Sequence, residues 1–307
     1  MTQPLLEPTV TGTPCLPPPP DVVPLVRAAL AEDLGTAGDL TTTATVPAEA
    51  TGTAYLVARE EGVLSGLDFL TQTYAGLDPA VHVTLRRADG APVAPGDVVA
   101  DVTGPARSLL TGERVALNFV GHLSGVATAT RRMADLVADT ATRVCDTRKT
   151  TPGLRAAEKR AVVHGGGVNH RFGLHDAILV KDNHIGLGGG LEEVLERLTD
   201  RGGHLVRVEV EVDTLDQLRA LLVTEAERVT GGGRPAVHAV LLDNLPPAGL
   251  REAVDLVRRH PVPVLTEASG GITEATVAAV AEAGVDLVSS GALTHSARSL
   301  DVALDLG

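Results

Sequence analysis

Through the second half of the chain, short apolar runs alternate with amphipathic stretches at a regular beat. The runs ATRVCD (141–146), DAILVKD (176–182), LVRVEVEV (205–212), VHAVLLDN (237–244), VPVLTEAS (262–269) and VDLVSSG (285–291) are strand-like and return every 20 to 35 residues. Segments with helical spacing separate them, among them LEEVLERLTDRGG, TLDQLRALLV, PPAGLREAVDLVRRH and TEATVAAVAEAG. Another helix is expected with Thr151 as N-cap and Pro152 in its first turn, closed by the glycines at 165–167. Six β-then-α units in series predict parallel strands joined by crossovers, as a barrel or as an open doubly wound sheet.

The first half has a different texture. DVVPLVRAALAEDLG reads as a helix stopped near Gly35, and residues 50 to 103 read as short strands between Gly, Pro and Asp turns. Residues 105 to 139 read as helix interrupted around Gly121 and Gly125. This pattern predicts an α+β domain. Ahead of it, residues 1 to 20 form a proline-rich lead-in without a basic n-region or a continuous apolar h-region, so they do not read as a signal peptide.

Polar residues at the strand ends favour the barrel. Arg148 and Lys149 follow the first run, Lys181 ends the second, and Glu209 and Glu211 alternate in the third. Asp243 ends the fourth, Ser269, Gly270 and Gly271 close the fifth, and Ser290 and Gly291 close the sixth. Carboxyl ends that all carry such groups converge on one mouth in a barrel, whereas a doubly wound sheet gathers ligand groups at a switch point.

Charge sharpens the picture. The chain carries a formal charge of −13, which argues against general nucleic-acid or membrane binding. No run approaches a membrane span, and two cysteines make no disulfide framework, so a cytoplasmic protein is expected. Yet residues 143 to 184 hold eight Lys/Arg against four Asp/Glu, including all three lysines of the chain. Guanidinium forks grip carboxylates and compact ammonium groups suit phosphate, so the cluster predicts small substrates with several anionic groups. Glu211 with Asp243 one strand over is a candidate Mg²⁺ pair, though a half-exposed strand face would also explain the alternating glutamates. Glycine turns after the last two strands suit a phosphate. The residues alone thus predict a barrel enzyme for a phosphorylated substrate, a second polyanion and Mg²⁺.

Several motifs in order resemble a known family. They are EDLGTAGDLTT, ERVALNFVGHLSGVAT, DTRKTTPGLRAAEKRAVVHGGGVNHRFGLHDAILVKDNH, VEVEVDTLDQ, LLDN, EASGGI and GALTHS. Together they resemble quinolinate phosphoribosyltransferase, the carboxylating nicotinate-nucleotide pyrophosphorylase. The resemblance implies an α/β fold with an N-terminal α/β sandwich domain (21–130) and an incomplete, open β/α barrel (131–292), with 293–307 packing back on the first. It implies Mg²⁺-dependent transfer of phosphoribosyl from phosphoribosyl pyrophosphate to quinolinate, giving nicotinate mononucleotide, pyrophosphate and CO₂ in NAD biosynthesis. It also implies a homodimer or higher oligomer with shared sites.

By position, Arg148, His170, Arg171 and Lys181 would line the dicarboxylate pocket, with Arg114 from a neighbouring subunit. Lys149 would meet the pyrophosphate-bearing substrate, and Glu211 and Asp243 would serve Mg²⁺ and the ribose. Ser269, Gly270, Gly271, Ser290 and Gly291 would cradle the 5-phosphate, and Lys159 would be structural. Asp182 and Ser290 depart from the family pattern, where Glu and an aliphatic residue are common. A paralogue acting on another acceptor, or a phosphate-ligand sensor, would share the barrel. The filled cation positions argue against the first, and the lack of a visible regulatory module argues against the second.

Overall fold

The computed structural model describes residues 17–201, 203 and 205–307, with the backbone alone at 200 and 201. The lead-in expected over 1–20 lies outside the described residues up to position 16. Two compact units emerge. One takes the described residues through Arg131 with Lys149–Gly167 and Leu293–Gly307; the other takes Arg132–Arg148 and Val168–Ala292. The segment 149–167, read from the sequence as part of the barrel, thus groups with the N-terminal residues.

The first unit begins with α1 (Val23–Leu34), which has proline in its first turn and ends at Gly35. Next, α2 (Leu40–Thr45) is capped by Asp39, whose side chain accepts the Thr42 N–H at 2.9 Å. There follow β1 (Thr51–Ala58), β2 (Gly62–Val63), α3 (Leu67–Leu77), β3 (His82–Leu85), β4 (Pro92–Val93) and β5 (Val98–Pro105). The long helix α4 (Ala106–Leu136) then runs without a break. Its glycines do not interrupt it, contrary to the sequence reading. Gly121 and Gly125 instead let residues 298–300 lie against the helix: a Cβ on Gly125 would overlap the Arg298 carbonyl, and Leu300 N–H donates to the Gly121 carbonyl at 2.9 Å.

The helix expected behind Thr151 also starts later, as α5 (Arg155–His164). Thr151 to Leu154 form a turn, closed by Leu154 N–H to Thr151 O at 3.0 Å. The fully buried Glu158 carboxylate in the first turn of α5 accepts the Thr151 N–H at 3.0 Å, which holds those residues in a turn ahead of the helix. Lys159 is buried beside it on the same helix.

In the second unit β6 (Arg143–Cys145), β7 (Ile178–Val180), β8 (Val208–Val212), β9 (Ala239–Asp243), β10 (Leu265–Ser269) and β11 (Leu287–Ser289) form one sheet in the order β6-β11-β10-β9-β8-β7. The pairs along it are parallel. Helices α6 (Asp182–Leu187), α7 (Leu191–Arg201), α8 (Leu215–Thr230), α9 (Pro247–Arg258) and α10 (Val277–Ala281) link successive strands. This is an open β/α barrel: β6 and β7, successive in the chain, stand at opposite ends of the sheet. Val208, Val210 and Val212 are buried on one face of β8, leaving Glu209 and Glu211 on the other.

The chain returns to the first unit through α11 (Ala292–His295) and β12 (Val302–Leu306), which pairs with β1 in the sheet β12-β1-β5-β3. An aliphatic core with Tyr74 fills that unit, and the Tyr74 hydroxyl donates to Leu109 O at 3.0 Å. Among the described residues no helix is long and apolar enough to cross a membrane.

Candidate active site

Strand register decides which side chains meet. Partners in a parallel ladder share a face, so the pairings Glu209–Ala239, Glu211–Leu241, Leu241–Glu267 and Asp243–Ser269 place Glu209, Glu211, Asp243, Glu267 and Ser269 on one side of the sheet. Val180 pairs with Val210, so Lys181 stands opposite Glu211, and its ammonium forms an ion pair with that carboxylate.

On β10, level with Glu211 across β9, lies a buried acid. Glu267 is 2% exposed, and its Oε1 has no hydrogen-bond partner. Burial first, and the Glu209 charge second, push its carboxyl up to about 8, with His170 pulling the other way. His170 Nε2 stands 2.8 Å from Glu209 Oε2 and 3.8 Å from Glu267 Oε2.

The His170 loop is itself anchored at the end of β6. The fully buried Asp146 accepts the His170 N–H at 2.9 Å and the Asn169 amide at 2.6 Å. Arg171 follows and donates from Nη1 to Ala177 O at 3.1 Å, while its Nε is buried without a hydrogen-bond partner. Burial, then the neighbouring Arg148 guanidinium, lower the pKa of Arg171. Two guanidinium groups so placed, with His170 next to Arg171 in the chain, make a local positive field that an anion would stabilise.

The carboxyl ends of β8 and β9 carry the opposite charge. Carboxylate oxygens of Glu211, Asp213 and Asp243 all lie within 4.8 Å of one another. The side-chain amide of Asn244 donates to Asp243 at 2.7 Å, and its backbone N–H donates to Ser269 O at 2.9 Å. Gly270 and Gly271 follow Ser269 with φ of +97° and +60°. Ser290 N–H donates to Cys145 O at 3.1 Å. The buried Ser290 hydroxyl donates to Ile272 O at 2.8 Å, so it braces the turn after β10 from the β11 side, next to Gly291.

The site residues of the second unit therefore gather at the strand ends, as cations around His170 and carboxylates around Asp243. Lys149 and Arg114 belong to the other unit. Lys149 is exposed, with its carbonyl accepting the Thr294 hydroxyl at 2.7 Å, and Arg114 is exposed on α4. Asp146, Asp213, Asn244 and Glu267 were missed as site residues. Register gives the one usable signal: Glu267 sits two positions before Ser269 and so shares its face.

Comparison with known proteins points the same way. The chain matches the quinolinate phosphoribosyl transferase N-terminal domain over residues 39–124 and the C-terminal domain of that family over 126–305. It is 42% identical over 275 residues to a probable carboxylating nicotinate-nucleotide pyrophosphorylase of Bacillus subtilis, covering 90% of each chain. The Mycobacterium leprae carboxylating nicotinate-nucleotide pyrophosphorylase is 43% identical over 284 residues, covering 92% of this chain and 95% of its own. The solved nicotinate-nucleotide pyrophosphorylase of Francisella tularensis superposes with a TM-score of 0.84 at 37% identity, covering 93% of this chain and 96% of that one.

Proposed function

The chain belongs to the quinolinate phosphoribosyl transferase family and is a phosphoribosyltransferase, and on that premise we propose the reaction and the roles of its residues. The 5-phosphoribosyl group of phosphoribosyl pyrophosphate passes to the ring nitrogen of quinolinate. The 2-carboxylate then leaves as CO₂, giving nicotinate mononucleotide and pyrophosphate. The observation that carries this reading is the division of one strand-end surface into a guanidinium-lined half and a carboxylate half, joined by the Lys181–Glu211 ion pair. A dicarboxylate in the first half and a metal-bound phosphoribosyl donor in the second would bring ring nitrogen and ribose together at that junction.

Arg148 and Arg171 bind the carboxylates, His170 orients them, and Lys181 releases Glu211 to meet the acceptor. Lys149 neutralises the leaving pyrophosphate, and a second copy of the chain supplies Arg114. Among the described residues two clusters could hold a cation, His170 with Glu209 and Glu267, and Glu211 with Asp213 and Asp243. The all-oxygen set fits Mg²⁺, whereas an imidazole with a carboxyl held neutral by burial does not. Mg²⁺, when bound there, would supply charge neutralisation for pyrophosphate departure. Ser269, Gly270, Gly271 and Gly291 cradle the 5-phosphate, while Ser290 braces that turn through Ile272.

As pyrophosphate leaves, positive charge grows on the ribose, and cations held near the leaving group lower the barrier. Transfer makes the ring nitrogen cationic. The bond from C2 to its carboxylate then breaks, its electron pair stays in the ring, and a proton takes its place.

The dicarboxylate pocket is tested by calorimetric binding of quinolinate against nicotinate, which lacks the 2-carboxylate. Quinolinate should bind at least about tenfold tighter, and Arg171→Lys should remove most of that preference, since the lost fork weakens charge-assisted hydrogen bonds. Equal affinity for both acids in the unaltered protein would point to a different acceptor.

A further inference from the structure

We propose that Asn244 is a positioning residue that locks Asp243 and the Ser269–Gly271 turn into one rigid unit for the phosphoribosyl donor; this rests on the reading that both contact that donor. Asn244 is the one non-glycine with positive φ among the described residues, at 56°. A side chain in the left-handed region costs free energy and persists where the surroundings over-determine it. Here the surroundings are the strand ends of the site rather than a core, because Asn244 is exposed.

Three contacts use that conformation. The backbone N–H reaches across from the end of β9 to Ser269 O at 2.9 Å, just beyond the paired Asp243 and Ser269. The amide Nδ2 turns back onto Asp243 Oδ2 at 2.7 Å and fixes the orientation of the carboxylate. The remaining side-chain oxygen lies over Gly270, where a Cβ would overlap the Asn244 amide and a φ of +97° already excludes most side chains. Gly270 is therefore glycine for two reasons, its own backbone and the residue packed on it. One side chain thus touches the carboxylate assigned to the ribose and metal and the turn assigned to the 5-phosphate, which are two ends of one substrate.

Asn244 spans the gap between the two ends. Its value lies in their spacing, and a donor gripped at both ends is sensitive to small errors in that spacing. The contacts predict a loss confined to the donor, with the dicarboxylate pocket at Arg148 and Arg171 left as it is.

The test compares Asn244→Gly, which keeps the left-handed backbone and removes the side chain, with Asn244→Asp, which keeps the shape and replaces the donor by a carboxylate. Affinity for phosphoribosyl pyrophosphate is read as KM and as a calorimetric Kd, alongside KM for quinolinate. Both variants should weaken the donor about tenfold or more, Asn244→Asp the more, with quinolinate KM changed less than about twofold. In an Asp243→Ala background the Asn244→Gly change should shrink markedly, since its partner carboxylate is gone. Unaltered donor affinity in both variants would overturn the proposal while leaving the reading of Asp243 intact. Unaltered donor affinity in Asp243→Ala alone would remove the reading itself and the proposal with it. Should Asn244→Gly fail to fold, Asn244→Asp decides the question by the same split between the two KM values.

Discussion

Glu267 is an acid that the fold keeps protonated. Its ordinary value of 4.5 rises to about 8, chiefly through burial, with the Glu209 charge adding to it. The sign follows from proton counting. Below 4.5 the folded and unfolded chains both hold the proton; between 4.5 and about 8 only the folded chain does. Folding is therefore favoured at the low end of that window, and the contribution is lost as pH rises through the folded value. Glu267→Gln keeps the shape and removes the titration. Its urea midpoint should change less from pH 5 to 8 than that of the unaltered protein; parallel curves would show that Glu267 ionises normally in the folded chain. Of the residues singled out in the sequence, Arg148, Lys181, Glu211 and Asp243 declare themselves by charge beside apolar runs, whereas Arg171 was named through the family resemblance. Asp146, Asn244 and Glu267 act through backbone N–H groups, a left-handed turn and burial, none of which leaves a charge pattern to read.

Elements show a similar division. The β-then-α beat was legible because buried strands demand apolar residues, and the sheet of β6 to β11 follows it. Two helix ends were not. Glycine in α4 reads as a break by propensity, yet it serves the passage of residues 298–300 against the helix. The start of α5 depends on Glu158 reaching back to Thr151, a contact set by burial rather than by the order of capping residues. Gly125→Ala should accordingly destabilise the protein by about 1–3 kcal/mol through overpacking. Gly186→Ala in α6, where a Cβ meets nothing, should be neutral or stabilising by up to about 1 kcal/mol. Chemical denaturation of both variants checks the contrast, and an unaffected Gly125→Ala would contradict the close approach.

At the scale of the whole molecule, the open barrel and its companion unit were legible through motif order, while the grouping of 149–167 with the N-terminal residues was not. That grouping depends on long-range contacts of α5, such as Glu158 Oε1 with His122 Nε2 at 2.8 Å. If a second copy supplies Arg114, an Arg114→Ala chain and a Lys149→Ala chain, each inactive alone, should complement on mixing. Random exchange gives half mixed dimers with one intact site each, so about a quarter of full activity should return. No recovery after verified exchange would place Arg114 within its own chain's site or outside the chemistry.

Purified protein supplied with quinolinate, phosphoribosyl pyrophosphate and Mg²⁺ should release CO₂ and nicotinate mononucleotide in equal amounts, and neither without the metal. Bound phosphoribosyl pyrophosphate with no CO₂ from quinolinate would contradict the account and leave a phosphoribosyltransferase whose acceptor is another molecule.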